Sequence, residues 1–150
     1  MGAFIVEFGY SYIMISIETD DILFSILHEN AALKAGISGG IYTLGERPDD
    51  SVKEDVVCNC LALTQDVPQS GTSNVNIHVA DTLLTIKGKQ QYKAARERLR
   101  DITKLVIAAI KAARIEGLTL NVSAETIIAE PDIHQHYNNI RVDWNIQITD

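Results

Sequence analysis

Residues 138–149 read NNIRVDWNIQIT. In an extended chain, Ile140, Val142, Trp144, Ile146 and Ile148 fall on one side, and Asn139, Arg141, Asp143, Asn145 and Gln147 on the other. So regular a period of two describes a strand with one buried face and one wet face. Strands of this kind belong to antiparallel sheets, whose second face can remain in water.

The same pattern recurs upstream. LTLNVSAETII, at 118–128, is a partner strand joined to the last one around Pro131. NVNIHVA, at 74–80, points Val75, Ile77 and Val79 inward and Asn74, Asn76 and His78 outward. DVVCNCLAL, at 55–63, sets Val57, Asn59, Leu61 and Leu63 on one side and Val56, Cys58, Cys60 and Ala62 on the other. Between these two, QDVPQSGTS is a turn-rich connection. A short strand from Ile41 to Leu44 follows Gly39 and Gly40.

Two segments carry helical spacing instead. ETDDILFSILHENAALKAG, at 18–36, has a stripe of Ile22, Leu23, Ile26, Leu27 and Leu33. Thr19 or Asp20 is its expected cap, and Gly36 its expected left-handed end. Residues 90–115 are predicted to form one long helix, with Tyr92, Ala95, Leu99, Ile102, Val106, Ile110 and Ala113 recurring every three or four positions and Gly117 ending it.

The predicted fold is therefore α+β: a largely antiparallel sheet with one face covered by two helices. The other face is polar and carries His78, Asn121, Ser123, Arg141, Asp143 and Asn145. The 150 residues suit one domain, placed at 14–150. The opening MGAFIVEFGYSYIMISI is apolar but short for a membrane span, is interrupted by Glu7, and lacks the basic start and cleavage pattern of a signal peptide. Residues 1–13 are read as an N-terminal extension outside the domain, with an added edge strand as the alternative.

The net charge of −7 argues against a surface wholly devoted to nucleic acid. The charge is uneven. Residues 87–114 hold nine basic and two acidic residues, a net +7, while the remainder holds four basic and 18 acidic, a net −14. One basic element on an acidic body is either a solvated helix face or a docking surface for an acidic neighbour.

No catalytic constellation stands out. Cys58 and Cys60 are the only cysteines, share a strand face without disulfide geometry, and fit a reducing cytoplasm. As zinc ligands they lack a second pair, so buried small apolar residues are expected. His134 and His136 would need His78 or Asp132 to complete a metal shell, and exposed loop histidines are expected. There is no GxSxG turn, and KGKQQYK is not a phosphate-cradling loop. The catalytic, cofactor-binding and metal assignments are accordingly none.

The order of elements carries a resemblance. A capped helix runs into AGISGGIYTLGERP, a charged loop into EDVVCNCLAL, then come NVNIHVAD, a long helix and a closing strand pair. This resembles the small tail-completion, or tail-terminator, proteins of long-tailed bacteriophages and prophages, over roughly residues 18–149. Two departures stand out: Glu54 and Asp55 take the place of a proline-aromatic pair before the second strand, and residues 1–13 have no counterpart.

The resemblance implies a structural protein and not an enzyme. It implies a homo-oligomeric ring, commonly a hexamer, made in the bacterial host cytoplasm and sited at the head-proximal end of the virion tail. The implied partners are further copies, the tail-tube protein and the head-connector protein, with no cofactor, no membrane and no sequence-specific nucleic acid binding. The alternatives are another head-closure or connector protein and a small non-enzymatic ligand- or metal-binding module. The expected assembly surface comprises Arg47, Asp49, Asp50, Glu54 and Asp55 in the 45–55 loop, with Lys87, Lys89 and Lys93 on the approach to the long helix.

Overall fold

The computed structural model describes residues 13–147, so the readings of residues 1–12 and of Ile148 lie outside the described residues. The chain runs α1 (Ser16–His28), α2 (Ala31–Gly36), β1 (Ile41–Thr43), β2 (Asp55–Leu63), β3 (Gln69–Ala80), β4 (Thr82–Ile86), β5 (Lys89–Lys93), α3 (Arg96–Ala112), β6 (Leu118–Glu130) and β7 (Gln135–Ile146). Among the described residues five strands form one sheet in the order β1-β2-β3-β7-β6. Of these only β1 pairs parallel, against β2, and the other neighbours are antiparallel. This is the expected α+β fold, with helices packed on one sheet face.

The core lies between that face and the helices. Val56, Cys58, Val75, Ile77, Val79, Ile140, Val142, Trp144 and Ile146 meet Ile22, Leu23, Leu27, Leu99, Ile102, Val106 and Ile110. The alternation of the last strand thus does what its sequence asks: each fully buried aliphatic side chain contributes about 1.5–3 kcal/mol. Trp144 also keeps its polar handle satisfied, since Nε1 donates to Ser73 Oγ at 2.9 Å.

Several local expectations need correction. The first helix is two helices, because Asn30 interrupts it and caps α2 by accepting the Leu33 N–H at 2.9 Å. Neither Thr19 nor Asp20 caps α1. Glu18 closes the first turn by accepting the Ile15 N–H, while the Asp20 carboxylate reaches β2 and accepts the Cys60 N–H at 2.6 Å. Gly36 is not left-handed, and a Cβ there would stand 2.5 Å from Leu105 Cδ1 of α3, so that side chain would have to shift.

The strands are longer than expected. The QSGTS of the supposed connection belongs to β3, and β7 begins at Gln135. Two bulges invert the alternation. Leu61 is the extra residue in β2, so Leu63 turns toward the core instead of joining Val57 and Asn59. Ser123 is the extra residue in β6.

The largest difference is in residues 82–93. Residues 90–93 do not open the long helix but form, with 82–86, a two-stranded hairpin, β4–β5, and α3 starts only at Arg96. Lys87 and Gly88 make the turn, both at positive φ (50° and 77°), as a two-residue hairpin turn requires.

Candidate functional site

The 45–55 loop is anchored to the top of the sheet by a buried polar cluster. Asp55 opens β2 on the polar face and is almost fully buried. Its carboxylate accepts the Gly40 N–H at 2.9 Å, Arg47 Nε at 2.9 Å and the Ser51 hydroxyl. Arg47 reaches on to Gln135 Oε1 at 3.1 Å, and Gln135 Nε2 donates to the Ser51 carbonyl at 2.8 Å. Burial alone would raise the Asp55 pKa, but the bonds from Ser51, Gly40 and Arg47 outweigh it and hold the carboxyl below its usual range.

Glu54 is engaged on the opposite side. Arg98 of α3 grips it with Nε at 2.7 Å and Nη2 at 2.8 Å, and the same guanidinium donates to the Gly36 carbonyl. The Arg98 bonds, with the Ser38 N–H, lower the Glu54 pKa against a smaller burial effect. Arg47, Glu54 and Asp55 therefore do not stand ready for a neighbour. They are engaged within the chain, fixing the loop to Gly40 ahead of β1, to β7 and to α3. Asp49 and Asp50 remain exposed on the loop, with Glu46, Leu44 and Val52 beside them.

Lys87, Lys89 and Lys93 are also exposed, on the β4–β5 hairpin that leads into α3. Beyond their own pairing, β4 and β5 make no extended packing with any other helix or strand of the described residues. The hairpin is an arm. Its base is held by Tyr92, which stacks on His134 with ring centroids 3.7 Å apart.

The histidines divide. His134 is exposed at a left-handed position after the turn at Pro131–Ile133. His136 is no loop residue: it lies in β7, half-buried, with Nδ1 2.6 Å from Asp81 Oδ1. His78 faces the polar side as expected, against Tyr137. Burial, aided by Arg47, depresses its pKa against the opposing pull of Glu130 and Asp55. His78 Nδ1 and Glu130 Oε1 stand 3.3 Å apart without a hydrogen bond.

Cys58 is buried and its thiol is pushed up to about 12 by burial and by Asp20, so it is a core group and not a reactive one. The described residues contain no grouping of three His, Cys, Asp or Glu side chains fit for a metal. Elsewhere on the polar face Asn139 Nδ2 donates to Asn74 and Asn76, and Arg141, Asp143 and Asn145 are exposed.

A groove of about 600 Å³ runs between α3 and β6, lined by Arg96, Arg100, Ile107, Ile127 and Asn138 among others. Asn138 is buried at its floor, donates to Thr103 Oγ1 at 2.9 Å, and keeps an unpartnered Oδ1. The sequence offered one signal for the arm, the Lys87–Gly88 pair. It offered none for the groove, which depends on the Ser123 bulge. No protein-family model matches the sequence, and the comparison with curated proteins finds no match.

Proposed function

We propose that the chain is a structural subunit that works by assembling with copies of itself, as the tail-terminator ring of a long-tailed bacteriophage or prophage. The observation that carries the self-assembly half is the arm. A two-stranded hairpin is at best marginally stable alone in water, and this one leaves apolar side chains uncovered. Such an element gains a defined place when another protein covers it.

The phage half rests on the order of elements and on the loop and strand sequences quoted above. In this reading the ring sits on the head-proximal end of the tail tube, stops its polymerisation, and offers its other surface to the head connector. Its role is mechanical, without catalysis, cofactor, membrane or sequence-specific nucleic acid. It assembles in the bacterial host cytoplasm and remains in the virion tail.

The test is addition of the purified chain to purified tail-tube protein during polymerisation, followed by electron microscopy. Tubes capped by a ring and arrested in length support the reading. Tubes that grow as they do without the chain, and bear no extra density at either end, refute the tail-terminator assignment.

A further inference from the structure

We propose that the β4–β5 arm of one copy docks on the 44–53 loop of the next copy. The proposal rests on the self-assembly reading and names the contact that performs it.

The pairing Thr82↔Lys93, Leu84↔Gln91 and Ile86↔Lys89 sorts the arm into two faces. One face carries Leu84 and Ile86 framed by Lys89 and Lys93, with Lys87 at the tip. The other carries Leu83 and Tyr92, and it is the Tyr92 face that meets His134 at the base. The first face is thus an apolar strip with a cationic border. Leu84 is 43% exposed and Ile86 is half-buried.

The 44–53 loop is its counterpart in both respects. Leu44 and Val52 are 68% and 71% exposed, a degree at which an apolar side chain gains most from being covered. Glu46, Asp49 and Asp50 stand exposed around them. The basic residues of the same loop reduce this charge only partly: Arg47 is turned inward onto Asp55, and Lys53 is exposed. The loop is presented on a fixed base, because Asp55, Arg47, Ser51 and Gln135 bind it to the sheet.

The occupant is a second copy for two reasons. Both surfaces are uncovered in one chain, so the arm does not satisfy its own loop. And between copies of a chain with net charge −7, contact is favoured where a cationic surface such as the arm meets an acidic one. Arm-to-loop contact is heterologous. Each copy that gives its arm keeps its loop open for another, and the series ends only when rotation closes it into a ring.

Charge reversal in both partners tests this with the full chain. The arm variant is Lys87→Glu, Lys89→Glu and Lys93→Glu, and the loop variant is Glu46→Lys, Asp49→Lys and Asp50→Lys. All six positions are exposed, and circular dichroism and thermal melts check that each variant is folded. Self-association is followed by sedimentation at low and high salt. Each variant alone is expected to associate about tenfold more weakly than the parent at low salt, as several exposed ion pairs become repulsive together. An equimolar mixture is expected to regain association, since each arm then finds a loop of opposite sign. Leu84→Asp, which removes the apolar half, is expected to weaken association at high salt as well.

Variants that associate like the parent, or a mixture that stays as weak as its components, overturn the arm-to-loop contact while leaving self-assembly intact. A parent that remains monomeric at every concentration overturns the self-assembly reading itself, and the contact with it.

Discussion

Changing Asp55 to Asn separates the loop's anchor from its exposed acids. The substitution keeps the shape of the side chain but removes its charge and turns one acceptor oxygen into an NH2 group. Asp55 now accepts from Gly40, Arg47 and Ser51. Asn can keep one of these bonds well, and its amide hydrogens face the Arg47 and Ser51 donors. Hydrogen bonds to a buried charge contribute about 1.5–3 kcal/mol each, and part of this survives through the remaining oxygen, so the expected cost is about 2–4 kcal/mol. For a chain of this size that is a fall in melting midpoint of about 6–12 °C. The pH dependence gives the finer check. The folded pKa of Asp55 lies below the ordinary 3.8, so its contribution is present in full above that value and is lost as pH falls through the folded pKa. The gap between parent and variant is therefore constant from neutral pH down to about 4 and narrows below it. Melts of both proteins between pH 7 and 3 measure this. A gap no larger than that of Asp49→Asn, or one that does not narrow in acid, would refute the account of the anchor.

Three further outcomes are expected. Gln69→Ala removes a buried amide that accepts the Met14 N–H at 2.8 Å and donates to the carbonyls of Met14 and Thr64, so it should cost about 3 kcal/mol in chemical denaturation, where a loss under about 1 kcal/mol would contradict the structure. Removing residues 1–12 and starting at a new methionine before Ile13 should leave the melting midpoint within about 2 °C, because Met14 is the first residue of the described core; a larger fall would show that the segment completes the fold. Elemental analysis of purified protein is expected to find no stoichiometric zinc, and zinc lost on changing His134 and His136 to Ala would overturn that expectation.

Legibility in the sequence followed the range of the forces involved. The alternation of 138–146 and 74–79 is local, reports burial directly, and placed the sheet and its wet face correctly. The hairpin was obscured because Tyr92 and Ala95 continue the three-and-four spacing of Leu99 and Ile102, and Gln, Lys and Ala favour a helix. Only the Lys87–Gly88 turn spoke against it. The bulges at Leu61 and Ser123 shift which residues face the core without changing composition, so alternation alone could not locate them.

The anchor of the loop was hidden for another reason. Arg47, Glu54 and Asp55 looked like free surface charges in a hydrophilic stretch. Arg47 and Asp55 bond each other and the nearby Ser51 and Gly40, but Gln135, which Arg47 also reaches, and Arg98, which holds Glu54, are distant in sequence, and only the fold brings them within reach. Asp49 and Asp50 on one element and Lys87, Lys89 and Lys93 on another remained exposed, as did Arg96, Arg100, Lys104 and Lys111 on α3.

The mass of the purified chain in solution tests the central claim most directly. Native mass spectrometry across concentration, with electron microscopy of the same sample, is expected to show a closed ring of identical subunits in equilibrium with smaller species. A single-chain mass at every concentration, at low salt as well as high, would contradict the account.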